Sequence, residues 1–464
     1  MAVAFGLIGA LRQTVVAEPA EEETLSLVVS KETAHVVTLD EALRYTETNQ
    51  PSLRAALARV AAAQADARVP RAAWLPTVAV AAEVFEGTTN NTTGSYLGVP
   101  YVALPRIGAT PVTSHGSFAP STSTLGAISV GQELLEFGRI AAQSAAADAV
   151  VVSEHYRAEA ERLGIELIVK ESYFAVSGAK AVLRAAQGAY ERTRVHRDLA
   201  EAGVKSGLYA PIERTRAQAD LARFEVAVIR ARGGLVSAQV VLAAAVGVPE
   251  RRLDAAEAPS TYRPLPSLDN ALAAGARDPV VREVSARLSE QRAVTRAIAA
   301  EKRPNLVLTG TFSGRAGGAS PSSGSAASLD GLVPYVPNWD LGLVLVWPIF
   351  DGVVLARQRV SLAREVARAR DVEAVAQQEQ AAIQRAYVST QVAQAALAGL
   401  QSSVEAARAN YEQAEARFKA GLGTSLELAD AEYLRTDAEI QLAGGQFELL
   451  RARAVLSKLI AEES

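Results

Sequence analysis

The amino-acid sequence predicts a mixed α/β fold of mainly long antiparallel α-helices with four β-strands, the whole arrangement written twice. Three observations carry that prediction. GLYAPIERTRAQ (Gly207–Gln218) aligns without a gap on GLGTSLELADAE (Gly421–Glu432), setting Gly207 on Gly421, Leu208 on Leu422, Ile212 on Leu426, Glu213 on Glu427 and Ala217 on Ala431. LDEAL (Leu39–Leu43) recurs as LDNAL (Leu268–Leu272), and Pro51 and Pro76 stand at the same interval as Pro279 and Pro304. Gly138 and Gly352 keep the register of Gly207 and Gly421, so the copies differ in length only between Pro76 and Gly138, in a tract rich in Gly, Ser, Thr and Pro. A length change confined to a loop is what duplication of a structural unit leaves behind.

The first repeat spans residues 36–250 and the second 268–462, with a linker over 251–267. Each reads in one order. A helix opens at Pro51 or Pro279 and runs toward Pro76 or Pro304, since proline suits a first helical position whose N–H has no partner. A strand follows over 77–85 or 305–313, then a turn-rich loop, Gly87–Ser123 or Gly314–Asn338, and a returning strand over 124–135 or 338–349. In the last strand Trp339, Leu341, Leu343, Leu345 and Trp347 alternate with Asp340, Gly342, Val344 and Val346, the period of a two-faced strand. Gly138, and Pro348 with Gly352, mark the strand-to-helix joints.

Beyond the joints, 138–206 and 352–420 hold no helix breaker, and each predicts a helix roughly 100 Å long. Returning helices are expected over 211–246 and 425–460. A short and a returning helix together nearly match one long helix, so they can run end to end beside it. Leu397, Leu400, Val404, Ala407, Tyr411, Ala414 and Phe418 repeat with a coiled-coil period.

Composition narrows the chemistry. Among 464 residues 21% are charged, 5% are aromatic and the net charge is −4, which offers no basic face for nucleic acid. There is no cysteine, so disulfides, thiolate catalysis and thiolate-bound metals are excluded. His35, His115, His155 and His196 lie far apart, and no phosphate loop, nucleophile elbow or dinucleotide fingerprint is present. No catalytic, cofactor or metal site is expected, and the chain does not read as an enzyme. Residues 1–17, apolar from Ala2 to Leu11 with small Val15 and Ala17, read as a signal peptide, although the positive n-region is missing. No later run approaches the 18 or more apolar residues of a spanning helix.

A membrane crossing would therefore use strands. Each is about 9–12 residues long, the length of a tilted spanning strand, and Trp339 and Trp347 suit the two interfacial girdles. Four strands cannot close a barrel whose smallest form has about eight, so this reading demands an oligomer. The competing reading is a small sheet packed on helices in a soluble or secreted coiled-coil scaffold.

Several motifs then point to one family. The helix opening PSLR (Pro51–Arg54) and ending in AAWLPTVAV (Ala72–Val80), the joint PIFDG (Pro348–Gly352) and the F-x-x-G-x-x-x-x-x-E-x-x-D-A stretch (Phe418–Ala431), in duplicated order, resemble the TolC-type outer-membrane efflux proteins over most of residues 36–462. The resemblance implies a homotrimer with a twelve-stranded barrel in outer-membrane lipid and a helical barrel forming a tunnel through the periplasm. It implies docking to a periplasmic adaptor and to a proton-driven or ABC-type inner-membrane transporter, in efflux or type I secretion. Gly207–Glu213 and Gly421–Glu427 become the helical turns at the periplasmic tip. Glu427 and Asp430 match the acidic entrance ring of the gate, with Glu213 and Arg216 as their counterparts in the first repeat. Two positions depart from the family pattern: Gly423 stands where a basic residue is found, and Phe418 where a tyrosine is. A plainer role is open for both glutamates, because Thr424-x-x-Glu427 has capping-box spacing and Glu213 follows Pro211 at a helix start.

Overall fold

The computed structural model describes residues 34–88, 120–256, 264–275, 277–317 and 336–460. The leader expected over 1–17 lies outside them, as do the greater parts of the loops Gly87–Ser123 and Gly314–Asn338. In chain order the elements are β1 (His35–Val37), α1 (Leu39–Asn49), α2 (Pro51–Asp66), α3 (Val69–Ala72), β2 (Thr77–Thr88), β3 (Pro120–Leu135), α4 (Arg139–Lys205), α5 (Pro211–Val246), β4 (Leu253–Ala255), α6 (Leu268–Gly275), α7 (Pro279–Ala300), β5 (Asn305–Gly317), β6 (Val336–Val346), α8 (Gly352–Lys419) and α9 (Ser425–Leu459).

Local chemistry sets most boundaries. Thr38 and Glu41 form a capping box at α1: the Glu41 N–H donates to Thr38 Oγ1 (3.2 Å), and the Thr38 N–H donates to Glu41 Oε2 (2.8 Å). Asp278 caps α7 by accepting the Val280 N–H at 2.7 Å. The helix expected from Pro51 toward Pro76 is broken, with α2 ending at Asp66 and only the four-residue α3 after it. Pro70 is the cause, because it has no N–H for the Asp66 carbonyl and its ring crowds that turn. The second repeat has Ile298 at the matching place, and α7 runs on to Ala300.

The joints also differ between repeats. Phe137 (φ 49°) and Gly138 (φ 89°) are both left-handed before α4, and the Glu136 carboxylate accepts the Ile140 N–H. Arg303 donates to the Phe137 carbonyl at 2.8 Å and lies where a Gly138 side chain would go. Gly352 is instead an ordinary first residue of α8. Asp351 caps that helix by accepting the Val353 and Val354 N–H groups (2.8 and 3.1 Å). The aligned glycines therefore serve different geometries.

Strands β2, β3, β5 and β6 form one antiparallel sheet in that order. Register lines up Val80, Ile128, Phe312 and Trp339 in a row across all four strands, and each of these side chains is exposed. Ala81, Ala127, Ser129, Thr311 and Ser313, on the alternate positions, are small and buried. The ladders are longer than expected at the loop ends, to Thr88 and Gly317 and from Pro120 and Val336. At the other end β6 stops at Val346 rather than at residue 349. Trp347 precedes Pro348, which has no N–H to extend the ladder, so Trp347 belongs to the joint.

Within the span expected as a linker, Leu253–Ala255 form a strand. β4 pairs in parallel with β1, His35 opposite Leu253. Tyr173 of α4 donates to the Ala256 carbonyl (3.1 Å), Lys180 to the Ala255 carbonyl (2.6 Å), and Gln239 of α5 to Asp254 (3.2 Å).

The chain divides into two compact units. One takes the described residues of 1–49, 169–260 and 400–447; the other takes those of 50–168, 261–399 and 448–464. The second holds the four-stranded sheet and a cluster of Ala271, Ile383, Ala386, Leu456 and Leu459 from α6, α8 and α9, with Ile460 just past α9. Within it, α7 lies along α8 through Gln291 and Ser361 (2.8 Å) and Glu301 and Arg357 (2.8 Å). Further along α8, Arg453 of α9 reaches Gln394 (3.4 Å). The first unit holds the small parallel sheet and both helix-to-helix turns. Every coiled-coil position from Leu397 to Phe418 is buried or half-buried. By length and composition alone α5, with a window of mean hydropathy 1.5, is apolar enough to cross a membrane, although Arg230, Arg232 and Gln239 interrupt it and it holds no run of 18 apolar residues. Its Ala and Val content raises the mean, and Val226, Ile229, Val240 and Val241 are exposed.

Candidate functional site

α4 and α8 stop for the same reason. Gly207 (φ 74°) and Gly421 (φ 73°) adopt the left-handed conformation open to a residue without Cβ. The Leu208 N–H returns to the Gly203 carbonyl (2.8 Å) and the Gly207 N–H to Val204 (3.1 Å). In the second repeat the Leu422 N–H returns to Arg417 (2.9 Å) and the Gly421 N–H to Phe418 (3.0 Å). Both turns are Schellman caps that satisfy the last carbonyls of their helices. One exchange separates them. Tyr209 lies on Gly203, where an added Cβ would come within 2.1 Å of its ring. The second repeat has Arg417 and Gly423 at those positions, so the bulky residue changes sides. Arg417 places its guanidinium 3.8 Å from the Glu427 carboxylate, both side chains more than half exposed.

The two turns are joined. Ser425 donates its hydroxyl to the Glu213 carboxylate, which also pairs with Arg216 at 3.4 Å. Glu213 is therefore held between hairpins, and no side chain caps α5. Thr424 Oγ1 accepts the Glu427 backbone N–H (3.2 Å), one half of a capping box, while the Glu427 carboxylate faces Arg417. Asp430 is exposed one turn further along α9. Phe418 is 2% exposed, against the rings of His196 (4.7 Å between centroids) and Tyr209 (5.4 Å). Leu208 and Leu422, at the turns themselves, are about three-quarters exposed.

A polar network behind the turns was not foreseen. Arg192 of α4 donates a two-pronged bond to Glu432 of α9 (2.9 and 2.7 Å), and Thr436 donates to the same carboxylate (3.0 Å). Tyr411 of α8 lies between the Arg192 and Arg435 guanidinium groups, 5.7 and 5.1 Å from its ring centre. Burial, with Glu432 and Glu415 adding, pushes the Tyr411 hydroxyl up to about 12. The available signal was periodic: Ala189, Arg192, His196, Ala200 and Gly203 lie on one stripe of α4 ending at the turn. Among the described residues, no cluster of His, Asp or Glu could hold a metal ion.

Comparison with known proteins follows the same architecture. The solved structures similar to this chain include the outer-membrane channel OprN, with a TM-score of 0.71 and 23% identity, covering 92% of this chain and 90% of that one. VceC of Vibrio cholerae gives a TM-score of 0.70 at 18% identity, covering 91% and 95%. The open state of the Neisseria gonorrhoeae channel MtrE gives 0.68 at 21%, covering 91% and 88%. These likenesses show the fold. No curated protein matches the sequence. The sequence profile of outer membrane efflux proteins matches residues 42–248 and 272–462, and the chain belongs to that family.

Proposed function

We propose that three copies of this chain close a twelve-stranded barrel in the outer membrane and continue it as a helical tunnel, through which substrates leave in a tripartite efflux or type I secretion system. Family membership makes the protein an outer-membrane exit duct for efflux, with its helical part in the periplasm. The observation carrying the trimer is the four-stranded sheet. Among the described residues β2 and β6 are its outer strands, each with one edge left to pair, and a sheet of four is too narrow to close on itself. Its faces are already sorted. Val78, Val80, Ile128, Trp339, Leu341, Leu343 and Leu345 suit lipid, and the small Ala, Ser and Thr positions suit a lumen. The exposed valines and isoleucine of α5 would pack on a neighbouring copy. Leu208, Ile212, Leu422 and Leu426, exposed at the turns, would meet the periplasmic adaptor, with an inner-membrane transporter supplying substrate.

The test is the mass of the detergent-solubilised protein together with its conductance in planar bilayers. A trimer with discrete conductance steps is expected. A water-soluble monomer with full strand content would favour the coiled-coil scaffold and overturn the conduit.

A further inference from the structure

His196 lies on α4, about three turns before Gly207, where helices of both repeats meet. Its ring stands edge-on to Phe418 of α8, with planes 70° apart. Both ring nitrogens are buried and neither has a hydrogen-bond partner. Buried polar atoms are paired in the great majority of cases, so this ring is held by packing alone. A cavity of about 10 Å³ separates it from Asp220 and Phe224 of α5 and Glu432 of α9.

Neutral, the imidazole is an apolar wedge between hairpins. Protonated, it is a cation without a bonded partner among carboxylates. Arg192 and Thr193 line the cavity from its own helix; Asp220 and Glu213 face it from α5, Tyr411, Glu415 and Lys419 from α8, and Glu432 from α9. Most are engaged elsewhere: Arg192 with Glu432, Glu213 with Ser425 and Arg216, and Glu415 with Lys419 (2.9 Å). Asp220 makes no such bond, and its charged neighbours are Arg223, Asp430 and His196 itself.

We propose that His196 is an acid-sensitive latch: the neutral ring holds Phe418, and with it the α8–α9 turn, against α4, whereas the protonated ring moves to the Asp220 carboxylate and lets the two turns part. Phe418 transmits the change because its carbonyl accepts the Gly421 N–H inside the turn.

Titration runs the right way. Burial depresses the His196 pKa, with Asp220, Glu213 and Glu415 opposing, and burial raises that of Asp220. The packed state thus binds fewer protons at His196 than the free chain does. Its stability is full above the ordinary histidine value of 6.5 and declines as the pH falls below it. An ion pair with Asp220 would relieve the cost on both groups. The effect on conductance rests on the conduit reading; the movement does not.

The chain has no cysteine, so Leu208→Cys with Leu422→Cys takes two spin labels without background. Distances between them would be read by pulsed electron resonance on the full chain in detergent, labelled chains diluted with unlabelled ones, at about pH 7.5 and about pH 5. A longer distance population is expected to appear reversibly at the lower pH. It should be absent in His196→Phe and in His196→Gln, the second keeping the comparison alive where the first fails to fold. An unchanged distribution, or the same acid population in both variants, overturns the latch. Acid-dependent movement with pH-independent conductance supports the latch and counts against the turns as the pore entrance.

Discussion

Asp278 carries a carboxylate where little water reaches. It is 1% exposed; one oxygen caps α7 through the Val280 N–H and the other has no partner. Burial raises its pKa, the Val280 N–H and Lys458 pulling the other way, and Glu379 nearby is raised by burial and by the Asp278 charge. A raised carboxylate binds its proton more tightly when folded, so its contribution to stability is lost as the pH climbs above the unfolded value. Asparagine caps helices as well as aspartate does. Asp278→Asn should therefore melt above the wild type near pH 7 and beside it near about pH 4, whereas Asp278→Ala, which also loses the cap, should lie about 1 kcal/mol below Asp278→Asn at either. Melting curves across that range decide it, and an asparagine variant less stable at neutral pH would refute the argument. Glu432 is the opposite case, buried but bonded to Arg192 and Thr436. Glu432→Ala strands the guanidinium beside Tyr411 and should cost about 3 kcal/mol, much of it recovered when Arg192 is also replaced by an apolar residue. A double-mutant cycle on unfolding measures that coupling. The Arg192–Glu432 pairing was not legible in the sequence, since the two residues belong to different repeats and no spacing announces that they meet. Glu213 was legible as a special position, but its bond to Ser425 depends on two turns arriving side by side.

Turns and helices were the readable elements, because their signals are local. Proline at a helix start and glycine past its end act through the backbone of their own residues, and the long Ala-rich stretches leave no break to place a boundary elsewhere. The failures were local too. Pro70 was passed over inside a helical pattern, and β1 and β4 are too short, at three residues each, to show any period. Gly138 and Gly352 align but do not share a conformation, which only their φ angles reveal. This separates the glycines into two classes with a measurable difference. Gly207→Ala and Gly421→Ala force a Cβ into the left-handed region and should each cost about 1–2 kcal/mol. Gly352→Ala, with open space around it at a helix start, should be neutral or slightly stabilising. Equal losses at all three positions in thermal unfolding would show that the turns are not the strained points.

At the scale of the whole molecule, the placement of charge at the turns matters more than any single bond. Glu427 and Asp430 both project from the first turns of α9 and are exposed. Around a threefold axis they would put six carboxylates at the tunnel entrance, a ring that attracts cations in a confined and weakly screened space. Two features of the site let this be separated from a capping role. Thr424 accepts the backbone N–H of Glu427, a bond that survives when the carboxylate is removed. Arg417 stands 3.8 Å from that carboxylate and, being exposed, would offset such a ring without closing it. Glu427→Ala with Asp430→Ala should therefore lower cation selectivity and abolish block by multivalent cations added on the helical side, while leaving thermal stability nearly unchanged. Arg417→Ala should move selectivity the other way. Reversal potentials under a salt gradient in planar bilayers read both signs. A double variant that keeps its selectivity and its block would move the constriction away from these turns, and one that loses stability without losing either would make the carboxylates structural.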